Sequence, residues 1–89
     1  AELLMIVHTI NKVSALGLCN NLIAEDDKVV LLEDGVYLGL QPLPFLVFAI
    51  RFDVDARGLG GLLAAQTESI DYSDFVRLCA EADKVCSWF

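Results

Sequence analysis

Basic residues are scarce in this chain: six Lys and Arg stand against thirteen Asp and Glu, for a formal charge of -7, and the six are scattered rather than clustered. That balance argues against direct nucleic-acid binding, which needs grouped cations to displace phosphate counterions. Cysteine occurs three times, at Cys19, Cys79 and Cys86, with no C-x-x-C spacing, and histidine once. An odd number of widely spaced thiols suggests neither a disulfide framework nor a four-ligand zinc site, so no metal and no cofactor is expected. Reduced thiols fit a cytosolic setting. Long apolar runs are lacking too. The longest uncharged stretch, residues 35–50, falls short of the roughly 20 residues a bilayer span needs, and Gln41, Pro42 and Pro44 interrupt it. The beginning of the chain has no basic n-region, and its apolar run over residues 3–7 is shorter than the roughly 7–15 residues of a signal-peptide core. A cytoplasmic protein without a membrane span is expected.

What the chain has in excess is apolar residues, 56% of its 89 positions, against a usual share of about 45–50%. A domain this small buries only roughly 60–65% of the surface that its unfolded chain exposes. Part of the apolar surface is therefore expected to meet other subunits. Disorder is excluded by the wealth of Val, Leu, Ile and Phe, and with no internal repeat and no linker the chain reads as a single domain over residues 1–89.

Leu3-Leu4-Met5-Ile6-Val7 is a continuous apolar run, the mark of a strand buried on both faces, and is expected to form the first strand. Ser14 is placed to cap a helix carrying Ala15, Leu16, Leu18, Cys19, Leu22 and Ile23, which should end near Glu25-Asp26-Asp27. Residues 29–32 read as a second buried strand closed by Glu33-Asp34-Gly35, where the glycine is expected to supply backbone freedom for a sharp turn. Residues 36–40 form at most a helical turn before Pro42 and Pro44, and residues 45–50 read as the third strand. Residues 53–58 suggest a short helix, residues 69–70 a brief strand, and Asp71 an N-cap. A helix with the apolar stripe Tyr72, Phe75, Val76, Cys79 and Ala82 should follow, with Asp74, Arg77 and Glu81 outside the stripe and able to pair. A last strand is expected over residues 85–89. Strands alternating with helices imply a small three-layer α/β sandwich around a mainly parallel sheet of about five strands, related to the flavodoxin-like class.

Three segments together carry a family resemblance: Ile6-Val7-His8-Thr9-Ile10-Asn11-Lys12, Val30-Leu31-Leu32-Glu33-Asp34-Gly35-Val36, and Ala56-Arg57-Gly58-Leu59 followed by Ile70-Asp71-Tyr72-Ser73-Asp74-Phe75-Val76. In this order they resemble the TusB/DsrH family, the smallest subunit of the TusBCD and DsrEFH sulfur-relay complexes. The resemblance implies a DsrE/DsrH-like fold and a cytoplasmic subunit. It also implies assembly with TusC/DsrF-like and TusD/DsrE-like chains into a heterohexamer that passes persulfide sulfur toward 2-thiouridine at the tRNA wobble position or through dissimilatory sulfur oxidation. In that family the established sulfur-carrying cysteine belongs to the TusD/DsrE-type partner, so this chain is expected to be non-catalytic. Met5 would match the family's Met-Leu-His-Thr opening, with Ala1 to Leu4 an extension. Where the family has a longer helical connection after the Asp-Gly turn, Gln41-Pro42-Leu43-Pro44 here leads almost directly into the third strand. The shortening is expected to bare one sheet face and to favour self-association into a homo-oligomer.

Among candidate site residues, Cys19 could accept a persulfide as a thiolate, but its place on an apolar helical stripe favours an inert, buried thiol. Cys79 reads the same way, and Cys86 has only Lys84 near it in sequence. His8, expected at the carboxyl edge of the first strand, stands where parallel sheets place ligand crevices, with Asp34 a possible orienting partner. Asp34 with Gly35 and Arg57 are the candidate binding residues. Arg57 could grip a carboxylate or phosphate, or could pair locally with Asp53 or Asp55. Gly58-Leu59-Gly60-Gly61 lacks the Lys-Ser/Thr ending of a phosphate loop. The functional reading is an accessory subunit of a sulfur relay. The alternatives are a stand-alone persulfide carrier through Cys19 and a self-associating binding or regulatory module.

Overall fold

The computed structural model describes residues 5–89. Five strands, β1 (Ile6–Ile10), β2 (Lys28–Leu31), β3 (Leu46–Ile50), β4 (Thr67–Ile70) and β5 (Lys84–Trp88), form one sheet in the order β4-β3-β2-β1-β5, and every neighbouring pair is parallel. Three successive connections step the chain one way across the sheet, and the last carries it from one edge to the other. Right-handed crossovers then place the first three connections on one face and the last on the opposite face. The expected three-layer α/β architecture is the one formed.

The first face is covered by short pieces: a 3-10 turn (Val13–Ala15) running into α1 (Leu16–Cys19) and a second turn (Asn20–Leu22), an eight-residue 3-10 helix (Glu33–Leu40), and α2 (Arg51–Ala56). Its core holds Ile10, Ala15, Cys19, Val29, Leu31, Val36 and Ala49, all without solvent exposure, with Val47, Val54 and Leu59 close to it. Among the described residues the second face is covered by α3 (Tyr72–Glu81) alone, which lays Phe75, Leu78, Cys79 and Ala82 on Val7, Val30, Ile50 and Ile70.

Several expectations shift. The first strand runs over 6–10 rather than 3–7, of which residues 3 and 4 lie outside the described residues together with the proposed extension. Polar His8 and Thr9 enter a buried strand because their side chains are hydrogen-bonded, Thr9 to Ser87 at 3.0 Å on the second face. The last strand is 84–88, in register with β1, and β4 begins at Thr67, whose hydroxyl donates to the Gly39 carbonyl at 3.1 Å. Ser14 does not cap the first helix, which starts as a 3-10 turn after Lys12 and ends at Leu22, before the acidic residues. Leu22 is thereby turned outward. On α3 the buried stripe contains Leu78 in place of Tyr72 and Val76, which are exposed. Asp71 is the N-cap as expected, and it forms a full capping box with Asp74.

The shortened connection after the Asp-Gly turn does not bare the first face. The 3-10 helix fills it with Val36 and packs Leu38 and Leu40, with Leu43 beyond them, onto the first core. Gly35 is required there for space rather than for an unusual dihedral: a Cβ would lie 2.8 Å from the Ile10 carbonyl carbon and overlap its oxygen. The left-handed residue of the turn is Glu33, at φ 51°.

Candidate functional site

Two groups of chemically capable side chains lie on the first face and its edges, and the three thiols are divided between the two faces. At the carboxyl ends of β2 and β3, Glu33 is held in its left-handed conformation because its N–H donates to the buried carboxylate of Asp53 at 2.9 Å. Such a conformation disfavours any residue with a Cβ. Arg57, at the end of α2, donates through Nε to Asp34 Oδ1 at 2.9 Å and through Nη1 to the Asp53 carbonyl at 3.1 Å, with the Asp53 carboxylate 3.7 Å away. Asp34, next to Gly35, and Arg57 are thus brought together at one corner, a pairing not expected from their separation in the chain, while of the two local partners considered for Arg57 it is Asp53 that lies beside it. Asp34 does not orient His8, because its carboxylate is taken by Arg57 on the exposed side of this corner.

His8 lies inside β1 and not at its end, and is almost fully buried. Its partners are two residues the sequence reading did not connect with it. The indole Nε1–H of Trp88 donates to His8 Nδ1 at 3.1 Å, and the other ring nitrogen, Nε2, lies 2.8 Å from Asp27 Oδ2. An indole nitrogen only donates, so Nδ1 must offer a lone pair and the imidazole proton sits on Nε2, directed at Asp27. The Asp27 oxygen also accepts the N–H of Ala24 at 2.9 Å. Asp27 closes an acidic triplet that resembles a solvated loop, yet it is the buried member of the three. Its only sequence signal is its place immediately before the second strand.

The three thiols are separated. Cys19 has no solvent exposure, and its Sγ–H points to the Leu16 carbonyl at 3.8 Å. Burial pushes its thiol up from the ordinary cysteine value, against a smaller opposing effect of its own backbone N–H. Burial raises the Cys79 thiol as well. Cys86 is half-buried and stands opposite His8 in the β1–β5 ladder. Among the described residues no group of three or more His, Cys, Asp or Glu is placed to hold a metal ion, and no helix is long and apolar enough to cross a membrane. An open groove between α3 and the β3–β4 edge has Phe48, Ile70 and Leu78 at its base and Glu68, Asp74 and Glu81 on its rim, where Arg77 approaches Asp74 at 3.7 Å.

Comparison with known proteins fits this arrangement. The family model described as "DsrH like protein" matches residues 11–85. Proteins named TusB from Salmonella enteritidis PT4 and Salmonella gallinarum are each 37% identical over 76 residues, covering 75% of this chain and 80% of theirs. Among solved structures, the ychN protein from E. coli shares the fold with a TM-score of 0.71 at 16% identity, covering 97% of this chain and 99% of its own. The Thermotoga maritima protein Tm0979, solved by NMR, is similar at a TM-score of 0.62 and 28% identity, covering 83% of this chain and 91% of its own. With the family match running from the end of β1 into β5, the chain belongs to the DsrH-like family.

Proposed function

We propose that this protein is a non-catalytic accessory subunit of a cytoplasmic sulfur-relay complex, working as a single domain over residues 1–89 beside TusC/DsrF-like and TusD/DsrE-like subunits. The observation that carries the reading is the similarity to TusB proteins over three quarters of the chain. Two features of the molecule support it. Cys19, the best-placed candidate for a sulfur carrier, is enclosed in the first core with its thiol pushed up, which disfavours the thiolate that must attack a persulfide. The surface carries large apolar side chains, Leu18, Leu22, Phe52, Leu62 and Val76 among them, each more than 60% exposed. A subunit that buries part of its surface against other chains has use for such residues. The end served is sulfur transfer toward tRNA 2-thiouridine or through sulfur oxidation.

Asp34 and Arg57 supply the polar contact in this reading, and buried Gly35 fixes the turn that presents Asp34. Asp34 is exposed and Arg57 is fixed beside it, so a partner's polar group can exchange into a surface pair worth only about 0–1 kcal/mol. The test is reconstitution with the two related subunits. Expected is a stoichiometric complex whose persulfide transfer requires this chain and survives Cys19→Ala, with rates corrected for folded fraction. A folded, assembled Cys19→Ala variant that stops transfer, or an isolated wild-type chain that gains a sulfur atom on Cys19 by mass spectrometry, would make this chain the carrier.

A further inference from the structure

We infer that His8 and Trp88 form a proton-operated latch that fixes the Trp88 end of β5 to the sheet: closed while the imidazole is neutral, open once it takes a second proton. The inference does not depend on the sulfur-relay reading. Among the described residues β5 is an edge strand paired with β1 alone, and all five of its residues are at least partly exposed. Trp88, at its end, reaches back along the first face to His8, two positions from its ladder partner Ile10. The two rings lie 6.3 Å apart between centroids with their planes 21° from parallel, and Trp88 packs on the first core.

The hydrogen-bond chain has one direction. Trp88 donates to His8 and His8 donates to Asp27, and Asp27 also accepts from the Ala24 backbone. A second proton on the ring has one place to go, Nδ1, and there two N–H groups would face each other. The Asp27 side is unharmed, since Nε2 keeps its proton and its acceptor, and the carboxylate is already beside the new charge. Protonation therefore removes one specific bond, the one to β5, without stranding an unpaired cation in the core.

Among the described residues the other titratable and charged groups around His8 are few. Cys86 stands opposite it on β5, Lys84 lies one step further along the same side of that strand, and Cys19 is buried in the core that Trp88 packs on. Glu25 and Asp26, in the turn that carries Asp27, are exposed. Of these groups, His8 is the one whose charging breaks the contact to Trp88.

Trp88 is the one tryptophan of the chain, so its emission reads the latch directly. The experiment is a pH titration of Trp88 fluorescence on the full chain between about pH 8 and pH 5, with far-UV circular dichroism followed alongside. His8→Gln serves as the comparison, because an amide can accept from the indole and donate to Asp27 but does not titrate. Expected is a single-proton change in wild-type emission with the fold retained, and a flat profile in His8→Gln. Amide exchange in β5, corrected for intrinsic rates, should rise several-fold on acidification while that of β2 stays put. A flat wild-type profile, or the same transition in His8→Gln, overturns the inference. Should His8→Gln fail to fold, nitrogen NMR of the wild-type imidazole decides: a neutral ring protonated on Nδ1 at pH 8, or exchange in β5 that does not respond to acid, excludes the latch.

Discussion

The two faces of the sheet are built by different means. The second face is closed by one ten-residue helix, α3, whose start is fixed by reciprocal hydrogen bonds between Asp71 and Asp74 three residues apart, and whose apolar side recurs at helical spacing. The first face is closed by 3-10 turns and two helices of four and six residues, none with a side-chain cap. It nevertheless holds the more completely buried core. What orders it is contact between residues far apart in the chain: Gly35 against Ile10, Asp53 with Glu33, Arg57 with Asp34, and His8 with Asp27 and Trp88. Helices this short have little stability of their own, so tertiary contacts must supply it. The faces should accordingly fail in different ways, the first through loss of single long-range contacts and the second gradually.

Gly35→Ala is the hardest test of the first face. The added methyl meets the Ile10 backbone rather than a movable side chain, so relief requires shifting β1 or the 3-10 helix, and both carry the core. A loss of about 3 kcal/mol or more is expected, at the top of the range for overpacking. Equilibrium denaturation measures it, and a loss near that of a surface substitution would show that the turn gives way easily. Asp53→Ala should come next, at about 2 kcal/mol. It strips the acceptor from the Glu33 N–H and removes a carboxylate beside Arg57. In the double variant with Glu33→Gly the loss should be smaller, since glycine adopts the left-handed conformation unaided.

How much could be read from residues alone follows the same division. The buried runs of the second and third strands, the last strand, the Asp71 cap and the existence of α3 are local signals, and each appears within a few residues of its expected place. The errors fall where polar groups are satisfied at a distance. His8 and Thr9 looked too polar for a buried strand, which displaced β1 by three residues, and their partners Trp88 and Ser87 lie about eighty positions away. Asp27 carries no local sign of burial, since Glu25 and Asp26 beside it are exposed. That Arg57 spans both Asp34 and Asp53 depends on how α2 packs beside the 3-10 helix, which no local pattern around Asp34, Gly35 or Arg57 records. Tyr72 and Val76 entered the stripe of α3 because they are apolar. A helix lying on one side of a sheet buries a narrower arc than its apolar residues mark, and Leu78 takes that place.

A milder probe sharpens the second face. Cys79 is half-buried among apolar neighbours, and burial raises its thiol. Cys79→Ser should lower the melting temperature more than Cys79→Ala does, by the equivalent of about 1 kcal/mol, because a hydroxyl is costlier to desolvate than a methyl. If both variants melt together, the hydroxyl has found a partner in the preceding turn of α3, and this face is more adaptable than the first.

The smallest expected effect lies in the Asp71 cap and is best seen through its pH dependence. The Asp74 backbone N–H that donates to the Asp71 carboxylate at 2.8 Å lowers its pKa from 3.8, with smaller help from the Asp74 side chain and from Arg51. A carboxyl whose pKa is lower folded than unfolded adds stability above its unfolded value, and loses that contribution as pH falls through its folded value. Wild type should therefore melt above Asp71→Ala at neutral pH, with the gap closing as the solution is taken below 3.8. Every other carboxylate titrates in both proteins and largely cancels in the difference. The second face, held by many shared apolar contacts, should register the change as a modest shift in melting temperature with α3 still formed. If Asp71→Ala instead loses α3 altogether at neutral pH, that face hangs on a single contact as the first does, and the contrast between them disappears.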